Sequence, residues 1–357
     1  MKGVVVTPSV KDSSRIKDIS IPVPSEEEVL VRVISVGIDG TDYEINQGLY
    51  GKTPEGEDFL VIGHESFGQV EKAGSQVEEL KPGDYVVAIV RRPCPENCSN
   101  CAQDQMDMCL TGNYRERGIK GLHGFLSEYY VAHPRFLVKV PDFLKDIAVI
   151  SEPLSIVEKA VKETYRIQER LSWKPEKALV LGAGSIGLLC TFILTIQGIR
   201  VSCLAKGKAD KLRQEIFSRL GINYFNVDDT NVETLKNRGE RFDIIIEATG
   251  FSPLAFDTLE LLALNGIMCR TGISGGDKVL TIHSDRINLD MVLGNKVVFG
   301  SVNANRTHFE KGLRDLQIID NRWPGLLGKI INRRVGFSDF KEAFIKKETD
   351  IKVVVDL

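Results

Sequence analysis

The period of apolar and polar positions changes once along the chain, near residue 152. Before that point the pattern is one of short strands. Residues 29–38 (VLVRVISVGI) alternate over part of their length, and residues 59–63 (FLVIG) and 84–90 (DYVVAIV) are compact apolar runs. Pro82-Gly83-Asp84 supplies one of the turn signals that separate them. This spacing predicts an all-β unit. After residue 152, strands alternate with helices. Residues 155–171 (SIVEKAVKETYRIQERL) are amphipathic at helical spacing. Residues 177–198 read as a buried strand, a glycine-rich turn and a helix stopped by Gly198. A strand follows at 199–205, a helix at 208–221, and further strands at 242–250 and 266–273. Such alternation predicts a doubly wound parallel sheet. The closing stretch, 338–357, reads as a helix and a final strand that returns to the first domain. The expected organisation is an α/β chain of two domains: a β-rich domain over 1–157, completed by 305–357, and a doubly wound parallel-sheet domain over 158–304. There is no internal repeat.

Composition narrows the class. The 357 residues, 43% hydrophobic and 27% charged, suffice for two cores of an ordinary globular protein. With 46 Lys+Arg against 49 Asp+Glu and a net charge of -3, nothing in bulk charge favours nucleic acid or an anionic membrane as a partner. The same balance argues against adaptation to saturated salt. The N-terminal MKGVVVTPSV turns polar too soon for a secretory signal. No apolar run reaches the roughly 18 residues of a membrane span. Of seven cysteines, four crowd between Cys94 and Cys109. In a long chain without a secretory signal, that crowding indicates metal binding in a reducing, cytoplasmic setting.

Gly182-Ala183-Gly184-Ser185-Ile186-Gly187 lies between an apolar strand and an apolar helix, where a G-x-G-x-x-G motif binds dinucleotides. The first two glycines permit a tight turn and close approach of a pyrophosphate, and Gly187 permits close helix–strand packing. A merely structural turn is the plainer reading. About 20 residues on, an NAD enzyme usually carries an acid for the ribose diol. Here the segment reads Cys203-Leu204-Ala205-Lys206-Gly207-Lys208, without an acid. Lys206 and Lys208 suit a 2′-phosphate, which favours NADP and leaves NAD as a second cofactor. Read plainly, they are solvated surface lysines.

Cys94-x3-Cys98-x2-Cys101-x7-Cys109 can close a tetrahedral zinc shell with no open position, a bracing role rather than a chemical one. An iron–sulfur cluster and idle thiols are the alternatives. Cys190, Cys203 and Cys269 stand in apolar contexts and are expected in the core.

Gly63-His64-Glu65-Ser66-Phe67-Gly68, continuing through Gly74 and Val77, resembles the zinc signature of the medium-chain alcohol dehydrogenase family. The cysteine loop and the glycine motif follow in that family's order, and the resemblance covers essentially the whole chain. It implies a GroES-like catalytic domain and a Rossmann domain, with zinc and nicotinamide meeting between them. In Gly37-Ile38-Asp39-Gly40-Thr41-Asp42, aspartate stands where most members carry a zinc-binding cysteine. Zinc accepts either donor. That replacement is similar to an archaeal branch of glucose dehydrogenases. So are Thr53-Pro54-Glu55-Gly56-Glu57-Asp58-Phe59, Val90-Arg91-Arg92-Pro93, Glu116-Arg117-Gly118-Ile119, Ser151-Glu152-Pro153-Leu154 and Gly300-Ser301-Val302-Asn303.

The resemblance implies two zinc ions per chain. The structural ion would sit on Cys94, Cys98, Cys101 and Cys109. The catalytic ion would sit on Asp39 and His64, with Glu65 and Glu152 as direct or outer carboxylates. It further implies sugar contacts from Thr41, Glu116, Glu152 and Asn303, and cofactor contacts from Gly182, Gly184, Ser185, Ile186, Gly187, Lys206, Lys208, Thr249 and Asn303. Ile156 stands where sugar-binding members often carry aspartate, which puts one sugar contact in doubt. His123, His133, His283 and His308 have no partner motif and are expected to be structural. The implied reaction is oxidation of a pyranose at C1 to the lactone, with Thr41 and then Glu44 relaying the proton. By analogy with the family, a homodimer or homotetramer is expected. The rival readings are a polyol or secondary-alcohol dehydrogenase, a metal-free quinone reductase or binding protein, and a zinc-ribbon nucleic-acid binder. The last is disfavoured by the charge balance and by a cysteine loop poor in Lys and Arg.

Overall fold

A computed structural model describes residues Met1–Leu357. The chain forms two compact units. One comprises Met1–Ser155, Asn303–Gln317 and Leu327–Leu357, and the other Ile156–Val302 and Ile318–Leu326.

The first unit is built around the ten-residue strand Val29–Ile38. Val29, Val31 and Val33 point into the core while Arg32 faces out, as period-2 alternation requires. This strand pairs antiparallel with Glu65–Ala73, Tyr129–Ala132 and Lys352–Asp356. The C-terminal strand therefore lies beside residues 35–38, within the sheet of the first unit. The predicted strand at 59–63 is regular only over Leu60–Val61. Gly63 ends it with φ at +83°, a conformation that favours glycine, and a Cβ there would come within 2.8 Å of Val36. The closing helix consists of 3-10 turns over Phe337–Phe344 with a kink at Asp339. Its buried residues, Phe340 and Ala343, are three apart, a spacing that 3-10 geometry eclipses on one face. The hydrophobic pattern gave no sign of a short helix, Gly40–Asn46. Its signal is polar: Asp39 accepts from the N–H groups of Thr41 and Asp42, and the Asp42 carboxylate accepts from Asp39 N–H.

The second unit carries six parallel strands in the order Asn223–Asn226, Arg200–Ala205, Lys177–Leu181, Phe242–Glu247, Leu262–Arg270, Val297–Gly300. Chain order reverses between Lys177–Leu181 and Phe242–Glu247. At such a switch point the crevice beyond the carboxyl ends of the strands receives ligands. Helix Ser185–Ile196 packs on this sheet through Leu188, Leu189 and Phe192, all buried. The amphipathic helix begins at Ser151, four residues before the predicted start, which puts Glu152 in its first turn. No helix is long and apolar enough to cross a membrane.

Candidate functional site

The end of strand Val29–Ile38 and the start of strand Glu65–Ala73 lie side by side, with Gly37 paired to Glu65. This pairing sets Asp39, His64 and Glu65 at one corner of the sheet, where their ligand atoms all lie within 4.8 Å of one another. Asp39 Oδ1 is held by the cap of its helix, and Oδ2 lies 3.5 Å from His64 Nε2. His64 Nδ1 faces Asp42 Oδ2 at 3.7 Å. Asp42 is fully buried, and its other oxygen accepts from Gly63 N–H at 3.2 Å. One carboxylate thus fixes the backbone on both sides of the corner and places its charge beside the imidazole. Sequence reasoning quoted Asp42 but gave it no role.

Glu65 is 1% exposed, and both its oxygens accept from Lys352 Nζ, at 2.6 and 2.7 Å. Gly37 makes room for this pair, since a Cβ there would overlap the Glu65 carboxylate. Lys352 was missed in the sequence. Its signal was a single charge inside the apolar run Ile351 to Val355.

Electrostatics follow from this crowding. Burial raises the Glu152 carboxyl to about 8; Glu65 and Asp39 add to the rise, and His64 and Lys352 oppose it. Burial would lower His64, but the charges of Asp39 and Asp42 outweigh it and hold the imidazole well above its usual range. The Asp39 carboxyl, opposed by burial, is held low mainly by His64. His64 and the carboxylates around it offer a borderline cation nitrogen and oxygen donors, with protons to release on binding. The donor set fits zinc.

Cys94, Cys98, Cys101 and Cys109 carry no disulfide, and their sulfurs lie within 4.8 Å of one another. Cys94 Sγ accepts from Cys98 N–H at 3.4 Å, and Cys98 Sγ accepts from Leu110 N–H at 3.5 Å. The Leu110 N–H, chief among several donors, lowers the Cys98 thiol to about 6, while burial raises Cys101 to about 12. Four thiols this close cannot all ionise unaided, and a divalent ion that accepts soft donors resolves the repulsion.

In the second unit, Gly182 turns with φ at +105°, and a Cβ on Gly187 would collide with the Gly182 carbonyl. Gly184 faces open space at the helix N-terminus. Ser185 Oγ, next in the chain, is buried with no hydrogen-bond partner. An orphaned hydroxyl and free N–H groups at the start of a twelve-residue helix fit a pyrophosphate. Lys206 and Lys208 are both exposed. Thr249 Oγ1 donates to Glu247 and accepts from Phe251 N–H, and its methyl faces Gly182. Its hydroxyl is therefore already engaged.

Glu116 and Asn303 meet, with Asn303 Nδ2 donating to Glu116 Oε1 at 3.1 Å. Asn303 holds a left-handed φ of +60°. Arg91 Nε donates to the same Glu116 oxygen at 3.0 Å, and Nη2 lies 3.0 Å from it as an ion pair. Three of the four histidines outside the corner have local partners: His123 Nδ1 accepts from Val61 N–H, His133 from Arg135 N–H and His308 from Asn305 N–H, while His283 is exposed.

Residues 25–142 match the alcohol dehydrogenase GroES-like domain, and residues 145–357 match the glucose dehydrogenase C-terminus. The chain is 46% identical over 357 residues to glucose 1-dehydrogenase of Methanocella arvoryzae, covering 100% of this chain and 99% of the relative. It is 39% identical over 367 residues to that of Thermoproteus tenax, with the same coverage. Among solved structures it is similar to Haloferax mediterranei glucose dehydrogenase in complex with NADP, Zn and gluconolactone. The TM-score is 0.92 at 34% identity, covering 100% of this chain and 99% of that one. With 2R,3R-butanediol dehydrogenase of Bacillus subtilis, at 23% identity and a TM-score of 0.80, it shares the fold.

Proposed function

The chain belongs to the zinc-dependent medium-chain alcohol dehydrogenase family, in its glucose 1-dehydrogenase branch, and from that premise we propose that it oxidises D-glucose at C1 to the lactone. The observation that carries the proposal is the convergence of Asp39, His64 and Glu65 within 4.8 Å at one sheet corner. When bound, zinc supplies Lewis acidity to the C1 hydroxyl, and the nicotinamide of NADP, or of NAD in second place, takes up the hydride.

The chain's own residues do the rest. Asp39 and His64 hold the ion, Asp42 orients His64, and Lys352 fixes Glu65 beside them. Thr41, two residues beyond Asp39, takes the hydroxyl proton, and Glu44 passes it on. Glu152, a carboxyl that burial raises, hydrogen-bonds the sugar or joins the ion as a carboxylate. Glu116 and Asn303 bind sugar hydroxyls. Ile156, apolar where relatives often carry an acid, leaves one hydroxyl unread and admits other aldoses such as galactose.

Gly182, Gly184, Ser185, Ile186 and Gly187 receive the pyrophosphate, and Lys206 and Lys208 the 2′-phosphate. Cys94, Cys98, Cys101 and Cys109 hold the structural zinc. The enzyme works as a homodimer or homotetramer, a reading supported by the edge strand Val297–Gly300 and by helix Ser284–Leu293. That helix buries no residue and exposes Leu289, Val292 and Leu293. Seven cysteines, none of them in a disulfide, favour the cytoplasm.

Initial rates with glucose, galactose, xylose, sorbitol and ethanol, each with NADP and with NAD, test the proposal. Aldoses with NADP are expected to be fastest. Faster turnover of sorbitol or ethanol would move the enzyme to the polyol or alcohol branch.

A further inference from the structure

Glu116 stands on the short strand Arg115–Arg117, opposite Arg91 in the register, and is 6% exposed. Its two oxygens are used unequally. Oε1 accepts from Arg91 Nε and Asn303 Nδ2 and lies 3.0 Å from Arg91 Nη2, while Oε2 accepts from none. The Arg91 guanidinium is itself fixed on every side. It lies 3.6 Å from the centre of the Tyr114 ring, and Nη1 donates to the Asp107 carbonyl at 3.1 Å. Asp107 sits in the 3-10 turn Met106–Met108, between Cys101 and Cys109, and its Oδ1 accepts from Asn305 Nδ2 at 2.9 Å. A continuous set of hydrogen bonds thus runs from the cysteine loop through Arg91 to Glu116, and in parallel to Asn305, two residues from Asn303.

A planar fork of N–H groups holds a carboxylate in one orientation, which a flexible ammonium cannot do. Saturating Oε1 leaves Oε2 as a charged acceptor with no competing partner in the protein. We propose that Arg91 is the positioning residue for sugar recognition: it locks Glu116 so that Oε2 meets a pyranose hydroxyl, and through Asp107 it ties that carboxylate to the cysteine loop. The inference rests on the assignment of Glu116 as a sugar contact made above. A site built to bond a particular hydroxyl discriminates strongly against the analogue that lacks it. Loosening Glu116 therefore costs discrimination as well as affinity.

The test compares Glu116→Gln, Arg91→Met, Arg91→Lys and the Glu116→Gln/Arg91→Met double variant in zinc-loaded enzyme. It reads kcat and KM for D-glucose and for each monodeoxy-D-glucose, the KM for NADP, and the melting temperature. Each single variant is expected to raise the KM for glucose roughly ten- to a hundred-fold, the span of one charge-assisted hydrogen bond. All three should lose discrimination against the same deoxy sugar, with the KM for NADP unchanged. The double variant should do no worse than the worse single, because the two act through one contact. Arg91→Lys, which keeps charge and stem without the fork, should resemble Arg91→Met, and it carries the comparison if Arg91→Met does not fold. If Glu116→Gln keeps the wild-type deoxy-sugar profile, the sugar assignment fails and the proposal with it. If Glu116→Gln alters that profile while the arginine variants keep it, Arg91 is a structural clamp and only the positioning proposal is overturned.

Discussion

Lys352 Nζ lies between the two oxygens of Glu65, at 2.6 and 2.7 Å, with both side chains all but sealed from solvent. The two residues are 287 positions apart, and the pair exists because the C-terminal strand docks beside Val29–Ile38. Burial alone would lower the lysine; the Glu65 charge more than offsets it and lifts the ammonium above its usual range.

Lys352→Met is therefore expected to leave a buried, unpaired carboxylate beside the candidate zinc ligands. Breaking such a pair costs about 3–5 kcal/mol, and the melting temperature should fall by about 5 °C or more. Adding Glu65→Gln should recover part of that loss. Calorimetry of the single and double variants checks this, and an unchanged melting temperature in Lys352→Met would show that the pair contributes nothing.

Cys101→Ser removes a donor from the four-thiol cluster. One of two zinc ions per chain should be lost and the melting temperature lowered, with activity falling only as the loop or the assembly loosens. Elemental analysis with thermal denaturation decides it. A variant that keeps both ions and its melting temperature would mean that these cysteines are not ligands.

Lys206→Ala with Lys208→Ala tests the cofactor assignment. Losing a charge-assisted bond to the 2′-phosphate is expected to raise the KM for NADP roughly ten- to a hundred-fold and to leave NAD nearly untouched. Both cofactors are measured at saturating glucose. Equal changes for the two would remove the lysines from the phosphate site.

Much of the fold was legible because periodicity carries it. The alternation of Val29, Val31 and Val33 and the apolar run Lys177–Leu181 before Gly182 announced the sheet of the first unit and the parallel sheet of the second. Helix Gly40–Asn46 was not legible, because a seven-residue helix set by a polar cap leaves no apolar stripe. Helices Ser284–Leu293 and Arg306–Arg322 also went unread. The first buries nothing, so no core-facing stripe marks it.

At the site, ligand types and their spacing pointed to Asp39, His64, Glu65 and the four cysteines. The residues that hold them did not stand out. Asp42, Arg91 and Lys352 act through partners brought close by folding, 25 residues away for Arg91 and Glu116 and 287 for Lys352 and Glu65. A single sequence marks such pairs only by a charge out of place in an apolar run, as at Lys352.

The most direct test of the account is the initial rate of NADPH formation from D-glucose by Asp39→Ala, on protein whose zinc has been counted. Removing Asp39 should leave His64 and the carboxylates holding the ion weakly and in the wrong geometry. Asp39→Ala should carry one zinc per chain instead of two, with a collapsed rate and with NADP binding preserved by the glycine turn and the lysines. Asp39→Cys should keep both ions at a lower kcat, because thiolate donates more charge and makes zinc a poorer Lewis acid. Full activity in Asp39→Ala with both zinc ions present would contradict the account and make Asp39 an ordinary helix cap.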